Sequence, residues 1–465
     1  MLANEDTIAA IATPVGVGGV GIIRISGAKA PLILSLLFKR YRDEEVWQSH
    51  RLYLGQVVEP QSSAVLDEAL AVLMRAPHSY TREQVAELHC HGGPAVLAQV
   101  LAACISAGAR LAERGEFTLR AFLNGALSLD EAEAVADLIS AKTGKAAQMA
   151  ARQLQGALSS RLAPLEQELL AVLAAITVGV DFPEDADALS TAELLPRLTA
   201  LQRLIGDLLA GAHSGRIYRE GLSAVLAGAS NVGKSSLLNR LLQTERAIVT
   251  AEAGATRDLI EEAIDLEGLP LLLTDTAGLR ETAELTEAEI LGIERSRSAL
   301  AGAQLALIVT DLTQGLDQTA QALLSELSSH NCLLLLNKAD LLNESEIKAR
   351  LQEIKTQYPA YTITAISAKT GAGIAELLSK IKQKALTGAT EAQNEPVLNN
   401  IRHQQALQKT QACLNEAIQT LKNNHPPDIA AIDLEIAYHA LGEISGKTVS
   451  EEVLSRVFAD FCVGK

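Results

Sequence analysis

A multidomain protein of mixed α/β and α+β class is what this sequence predicts, and three textures along its 465 residues carry that expectation. Short β-type runs broken by Gly and Pro occupy the front of the chain. Ala/Leu spacing of helical period follows, and it returns at the back. Between these two helical stretches apolar runs alternate with amphipathic ones, the pattern of a mostly parallel sheet covered on both faces. With 48% hydrophobic residues and only 3% aromatic ones, Ala and Leu must fill the cores.

The front unit, taken as residues 1–123, contains β-type runs such as Gly21 to Ile25 and Leu70 to Met74 and a helix around Pro94 to Ala107. Its notable polar residues are Arg24 inside an apolar run and Glu87 with His89 and His91 ahead of Gly92-Gly93. On a strand the two histidines share a face, but two ligands without a nearby third fit a hydrogen-bonded strand end better than a metal site. Residues 124–220 read as the first half of a helical domain, with Ala147 to Leu158 and Leu162 to Ile176 in helical period. The acidic interruption Asp181 to Asp187 lacks the spacing and terminal Glu of a calcium loop and reads as a solvated, capped turn.

Residues 221–388 form the alternating unit, with apolar runs at Leu269 to Leu273, Leu305 to Val309, Cys332 to Leu336 and Thr362 to Ile366. The polar stretch Thr387 to Pro396 reads as a linker. Residues 389–465 are then helical to the end, so the sheet domain is inserted between two halves of one helical domain.

Composition narrows the function. A formal charge of −16 argues against a mainly electrostatic grip on nucleic acid, leaving room for a local basic patch or a basic partner. Cys90, Cys104, Cys332, Cys413 and Cys462 form no CxxC pair and read as reduced thiols. The acidic start MLANEDTIAAIATP does not suit a signal peptide, and no apolar run is expected to approach the length of a membrane span, which together suggest a cytoplasmic protein.

The chemistry centres on GASNVGKSS, Gly228 to Ser236, between the apolar run Leu222 to Ala227 and a helical pattern beginning near Ser235. Strand, glycine-bounded turn ending in Lys-Ser, then helix is the arrangement that cradles phosphates. The N–H groups of Asn231, Val232, Gly233, Lys234 and Ser235 would wrap a β-phosphate. Lys234 would add charge at the β- and γ-phosphates, and Ser235 could hold Mg²⁺. Ser236 completes the loop.

Downstream pieces follow in workable order. Thr256, in GATRD, can complete the metal shell. Asp275 opens Asp275-Thr276-Ala277-Gly278, where a carboxylate can orient Mg²⁺ through its water and the Gly278 N–H can meet a γ-phosphate. Asn337-Lys338-Ala339-Asp340 supplies in Asp340 an acceptor for guanine N1–H and the 2-amino group, a pair that adenine cannot offer. Ser367-Ala368-Lys369 adds backbone contact to the guanine oxygen. Together these select GTP over ATP.

In Ras-like GTPases a Gln after DTAG positions the attacking water, but here the residue is Leu279. Asn231 offers a carbonyl oxygen that could ligate a monovalent cation beside the phosphates. Glu281, Glu284, Glu287 and Glu289 include candidates to hold the water, most of them being simply a solvated helix start.

The combined motifs, with ATPVGVGGVGIIRISG (Ala12 to Gly27), ELHCHGG (Glu87 to Gly93), RGEFTLRAFLNG (Arg114 to Gly125) and the terminal Cys462 to Lys465, resemble the MnmE (TrmE) family of tRNA-modifying GTPases over the full length. The resemblance implies a homodimer formed through an amino-terminal domain like tetrahydrofolate-binding folds, holding a 5-formyl-tetrahydrofolate-type cofactor. It also implies a heterotetramer with the flavoprotein MnmG, which uses FAD and NADH, and an aminomethyl or carboxymethylaminomethyl group placed on C5 of the wobble uridine of certain tRNAs. By that resemblance Arg24, Glu87 and Lys465 contact folate. Asn231, Thr250, Glu252 and Ala255 bind K⁺, Ser235 and Thr256 bind Mg²⁺, Glu289 orients water with Glu287 as the fallback, and Cys462 assists the modification chemistry. K⁺-dependent hydrolysis would accompany pairing of the GTPase domains.

Four positions in three segments depart from the family pattern: Ser230 and Val232 in the phosphate loop, Ala255 in GATRD, and Ala126 where a Lys is usual. A GTP-driven conformational switch in tRNA or ribosome maturation, without a part in base modification, is the alternative reading.

Overall fold

The computed structural model describes residues 6–14, 16–42, 46–181, 190–244, 246–247, 261–275, 302–386, 398–459 and 461–464. The acidic turn 182–187 and the linker 387–396 expected from sequence lie outside these residues. The chain divides into two compact units, one of Met1–Ala136, Gln153–Ala163 and His439–Lys465, the other of Asp137–Arg152 and Pro164–Tyr438.

The first unit is built on a seven-stranded sheet of order β3-β4-β5-β6-β2-β1-β7. Its strands are β1 (Ile8–Ile11), β2 (Gly18–Ser26), β3 (Phe38–Arg40), β4 (Leu52–Val58), β5 (Val65–Met74), β6 (Val85–Gly92) and β7 (Arg110–Leu111). All neighbours are antiparallel except β1 and β7. Helix α1 (Ala30–Leu37) buries Ala30, Ile33, Leu34 and Leu37, one stripe of helical period, in the same core as Leu97, Val100, Ala103 and Cys104 of α2 (Pro94–Ser106). Gly21 lets α2 approach β2, because a Cβ there would stand 2.5 Å from Leu97 Cδ1.

Beyond β7, α3 (Glu116–Leu123) brings Phe117 into a smaller core with Ile8, Ala10 and Ala112. The carboxy-terminal segment joins this unit: Phe458 and Phe461 pack with Leu129 and Ala132, and Val463 forms an antiparallel bridge with Arg114. Gly464 has φ +96°, and a Cβ there would stand 2.3 Å from the Ile11 carbonyl oxygen.

Helices α4 (Leu129–Ser140), α5 (Gly144–Leu154), α6 (Ser159–Asp181), α7 (Thr191–Ala210) and α8 (Ala212–Glu220) follow. Residues Ser159–Val180 of α6 are long and apolar enough to cross a membrane by length and composition, which corrects the expectation that no run reaches that length. Its buried Leu162, Leu165, Leu169, Val172 and Ile176 recur every three or four residues, a one-sided stripe of the kind used to pack on a core.

The second unit contains the other sheet, of order β14-β13-β12-β8-β11-β10-β9. Strands β8 (Leu222–Ala227), β11 (Leu269–Asp275), β12 (Leu305–Asp311), β13 (Cys332–Asn337) and β14 (Thr362–Ala365) are parallel. The edge pair β9 (Arg246–Ala247) and β10 (Glu261–Leu266) is antiparallel. Every residue of β12 and β13 is buried, as their unbroken apolar sequences require for strands covered on both faces. The covering helices are α9 (Lys234–Thr244), α10 (Gln318–Glu326), α11 (Glu344–Gln357) and α12 (Ile374–Ala385). Three more, α13 (Ile401–Lys422), α14 (Pro427–Ser445) and α15 (Glu451–Ala459), complete the chain. Helix α7, from the stretch before the sheet, packs along α13 from the stretch after it.

Candidate guanine-nucleotide site

In parallel sheets of this kind ligands bind outside the carboxyl ends of the strands, where the loops after β8, β11, β13 and β14 emerge. The loop after β8 is the glycine-bounded turn, and its backbone explains its composition. Gly228 has φ +144°, and a Cβ there would stand 2.1 Å from the Val309 carbonyl oxygen of β12. Asn231 adopts φ +62°, a left-handed conformation that Asn tolerates better than most side chains.

Gly233 combines φ +96° with a neighbour only 2.4 Å from where its Cβ would be, the Asn337 amide nitrogen. Gly233→Ala is therefore expected to destabilise the fold by about 1–3 kcal/mol and to impair nucleotide binding. Thermal melting together with a nucleotide titration checks this. An alanine variant that melts and binds like the parent would disprove the crowding argument.

Lys234 opens α9 and is 6% exposed. Its ammonium donates to the carbonyl oxygens of Gly228 at 3.0 Å and Ala229 at 2.7 Å, so the charge is held inside the loop that would receive phosphate. Ser235 follows it in the first turn of the helix.

Asn337, the last residue of β13, pins three loops together. Its side-chain amide donates to the Val232 carbonyl at 2.8 Å, and its oxygen accepts from the Ala368 N–H at 3.0 Å. The phosphate loop is thereby fixed against the segment Ser367-Ala368-Lys369. Lys338 follows in a left-handed conformation, φ +65°, and pairs with Asp311 at 2.8 Å. Burial works to raise the Asp311 pKa, but hydrogen bonds from Lys338 and Thr313 prevail and hold it below the ordinary carboxylate value. Asp340 accepts from the Ser367 hydroxyl at 2.6 Å and is otherwise exposed, so an incoming base, rather than the protein, would bury it.

Several of these contacts were not foreseen from sequence. Arg240 of α9 donates to the carbonyl oxygens of Ala368 at 3.0 Å and of Lys369, buttressing the base loop from behind. Asp311, which orients Lys338, was also missed, although a carboxylate closing an otherwise apolar strand, as Asp275 does, was a usable signal.

Asp275 is the last residue of β11, beside Leu226 of β8. Thr250, Glu252, Ala255, Thr256, Thr276, Ala277, Gly278, Glu281, Glu284, Glu287, Glu289 and Lys465 lie outside the described residues.

The first unit holds a second polar constellation. Arg24 and Glu87 face each other across β2 and β6, with Nε to Oε1 at 2.9 Å, and His89 meets the other carboxylate oxygen at 3.1 Å. The Arg24 guanidinium lies 5.4 Å from the Tyr80 ring centre and 5.7 Å from that of Phe117, two aromatic partners that sequence reasoning missed. Burial acts to raise the Glu87 pKa, but His89 and Arg24 overcome it and leave the carboxyl below its usual value. His91 is engaged separately, with Asp67 at 2.7 Å. Cys462 is exposed, and its carbonyl accepts from the Gly115 N–H at 3.4 Å.

Comparison with known proteins gives a family model for the MnmE helical domain matching residues 129–462, and one described as GTP-binding protein TrmE N-terminus matching residues 7–126. Among curated relatives, the tRNA modification GTPase MnmE of Heliobacterium modesticaldum is 43% identical over 468 residues, covering 99% of each chain. That of Syntrophus aciditrophicus is 42% identical over 461 residues, covering 99% of this chain and 100% of its own. That of Moorella thermoacetica is 43% identical over 464 residues, with the same coverage.

Proposed function

This chain belongs to the MnmE family of tRNA modification GTPases, and on that premise we propose that it hydrolyses GTP to drive modification of C5 of the wobble uridine, position 34, of certain tRNAs. The observation that carries this reading is one chain holding both the Asn337-pinned phosphate and base loops and a front sheet with an Arg24–Glu87 pair walled by Tyr80 and Phe117. The first set suits a guanine nucleotide. The second, a charged pair beside aromatic rings, suits a flat heteroaromatic ring with a carboxylate-bearing tail, the chemistry of a 5-formyl-tetrahydrofolate-type cofactor. Arg24, Glu87 and Lys465 would hold that cofactor, which supplies a one-carbon unit when bound.

For hydrolysis, Lys234 neutralises charge on the β- and γ-phosphates, Ser235 and Thr256 hold Mg²⁺, and Asn231, Thr250, Glu252 and Ala255 hold K⁺. With Leu279 in place of a water-positioning Gln, Glu289 orients the attacking water. The flavoprotein MnmG, with FAD and NADH, is the partner in the cytoplasm, in a heterotetramer. Homodimerisation through the first domain has a candidate face in Leu52, Leu54 and Leu70, exposed side by side on β4 and β5.

The expected results separate the parts of this reading. Replacing K⁺ by Na⁺ slows GTP turnover about tenfold or more, the effect of a site that no longer holds its cation in the right place. Asn231→Gly, which removes the side chain without straining the φ +62° backbone, abolishes the K⁺ response. Equal rates in both salts would remove the cation from the mechanism. Glu289→Ala slows single-turnover hydrolysis and leaves GTP affinity intact; a fully active variant would strip Glu289 of its role. The function as a whole is tested by mass analysis of tRNA nucleosides from cells with and without the gene. Normally modified wobble uridines in the deletion would favour a conformational switch instead.

A further inference from the structure

In a chain of formal charge −16, a cavity of about 240 Å³ at the far end of the GTPase sheet has a charged lining that is wholly basic. His213 and Arg216 of α8, His330 just before β13 and Lys384 in the last turn of α12 face it, over a floor of Leu222 and Leu305. Its remaining lining residues, Ile217, Gln304, Asn331 and Ala385, are uncharged. Leu222 and Leu305 begin β8 and β12, so the cavity lies at the amino ends of the parallel strands. A six-residue strand places it roughly 20 Å from the phosphate loop. It is therefore not part of the nucleotide site.

Arg216 is the informative member. Its Nε is sealed from solvent with no hydrogen-bond partner, and among the described residues no ion pair neutralises it. One turn further along the same helix, Arg219 has its counter-charge, Asp137 at 2.7 Å. A guanidinium stays charged at any physiological pH, and leaving one partly buried without a counter-charge is unfavourable.

Lys384 is in a related position. Its ammonium donates to the carbonyl oxygens of Ser329 at 2.8 Å and His330 at 2.9 Å, which fix it without cancelling its charge. Burial pushes its pKa below the ordinary lysine value. The structure thus presents a planar donor fork, an ammonium and two imidazoles around one space, with no carboxylate in its lining.

We propose that this cavity binds a phosphoryl group, with the Arg216 fork as its principal ligand and Lys384 completing the charge. Arg–phosphate pairs are short, charge-assisted and frequently bidentate, and Arg216, the one arginine of this lining, has no carboxylate partner among the described residues. The volume accommodates the phosphoryl group with the first atoms of whatever bears it, either a small phosphomonoester or the backbone of an RNA. The site also has a mechanical consequence. Helix α8 runs directly into β8, the strand that carries the phosphate loop, and α12 is the last helix of the inserted domain. An anion held between Arg216 and Lys384 therefore clamps the entry of that domain to its exit. This assignment rests on the cavity alone and is independent of the tRNA reading above.

The test uses the full-length chain saturated with GDP, so that the phosphate loop is filled, and inorganic phosphate as the probe. Phosphate is expected to raise the melting temperature relative to a chloride series of equal ionic strength. The double variant Arg216→Gln/Lys384→Gln should lose that response and bind phosphate at least about tenfold more weakly, with GDP affinity unchanged. In phosphate-free buffer Arg216→Gln should melt no lower than the parent, because it removes an uncompensated charge. A variant melting well below the parent would make Arg216 a structural residue and overturn the proposal. An unaltered phosphate response in the double variant would overturn it as well. Competition then identifies the source: displacement of phosphate by an unmodified tRNA transcript assigns an RNA backbone, and displacement by ribose 5-phosphate alone assigns a small phosphomonoester. Failure of both to displace it overturns the site.

Discussion

Lys234→Ala is expected to yield a folded protein whose single-turnover GTP hydrolysis is at least about a hundredfold slower than the parent's, the typical loss when a preorganised charge is removed from a developing anion. The geometry carries this expectation. Lys234 is nearly buried at the head of α9, and its ammonium is already held inside the loop by the Gly228 and Ala229 carbonyls. No reorganisation is needed to place the charge as the β–γ bond breaks. Fold stability should fall by only about 1 kcal/mol, since the two carbonyls that lose their donor line a loop that water can reach. Lys234→Met, which keeps most of the side-chain volume, should be equally inactive. Rapid-quench kinetics with circular-dichroism melting separate the two effects. A hydrolysis rate within about threefold of the parent would show that the ammonium serves only to brace the loop.

Local contiguity decided what could be read in advance. Strands β12 and β13 were legible because burial on both faces demands an uninterrupted apolar run, and LALIV and CLLLL, ahead of their polar ends, are such runs. Strand β10, EEAIDL, was not, because an antiparallel strand near the sheet edge mixes charged with apolar residues, and β3, β7 and β9 are too short to show any period. The same logic governs the site. Asp340 and Asn337 were found because their chemistry sits within one tetrapeptide. Arg240 is separated by 128 residues from the carbonyl it supports, so no motif could announce it, and although the strand-ending carboxylate of Asp311 was a signal, its partner Lys338 lies 27 residues away. The Arg216 cavity is further from legibility, drawing on segments near residues 213, 330 and 384 that only the fold brings together. Helix α6 was misjudged for a different reason: its Ala and Leu suit an ordinary helix residue by residue, and only over 22 residues does the stretch reach the length and apolarity of a membrane span.

Asp340→Asn should lower GTP affinity roughly a hundredfold and leave the melting temperature unchanged, because a site built to accept two donors rejects a base whose donors meet an amide instead. One carboxylate oxygen of Asp340 accepts from the Ser367 hydroxyl, and the rest of the carboxylate is open to the base. Guanine presents N1–H and a 2-amino group side by side, both donors. An asparagine keeps one carbonyl oxygen, which can still satisfy Ser367, but turns an NH₂ toward a group that also donates. Since Asp340 is exposed in the free protein, the mismatch is felt only when the base covers it, which is why affinity should change while stability does not. Xanthine carries a 2-oxo acceptor where guanine carries the amino group, so xanthosine triphosphate should bind the variant better than GTP does, reversing the preference of the parent. Equilibrium titration of both nucleotides against both proteins decides the matter. Undiminished GTP binding by the variant would mean that base recognition runs through the backbone of Ser367-Ala368-Lys369 and not through Asp340.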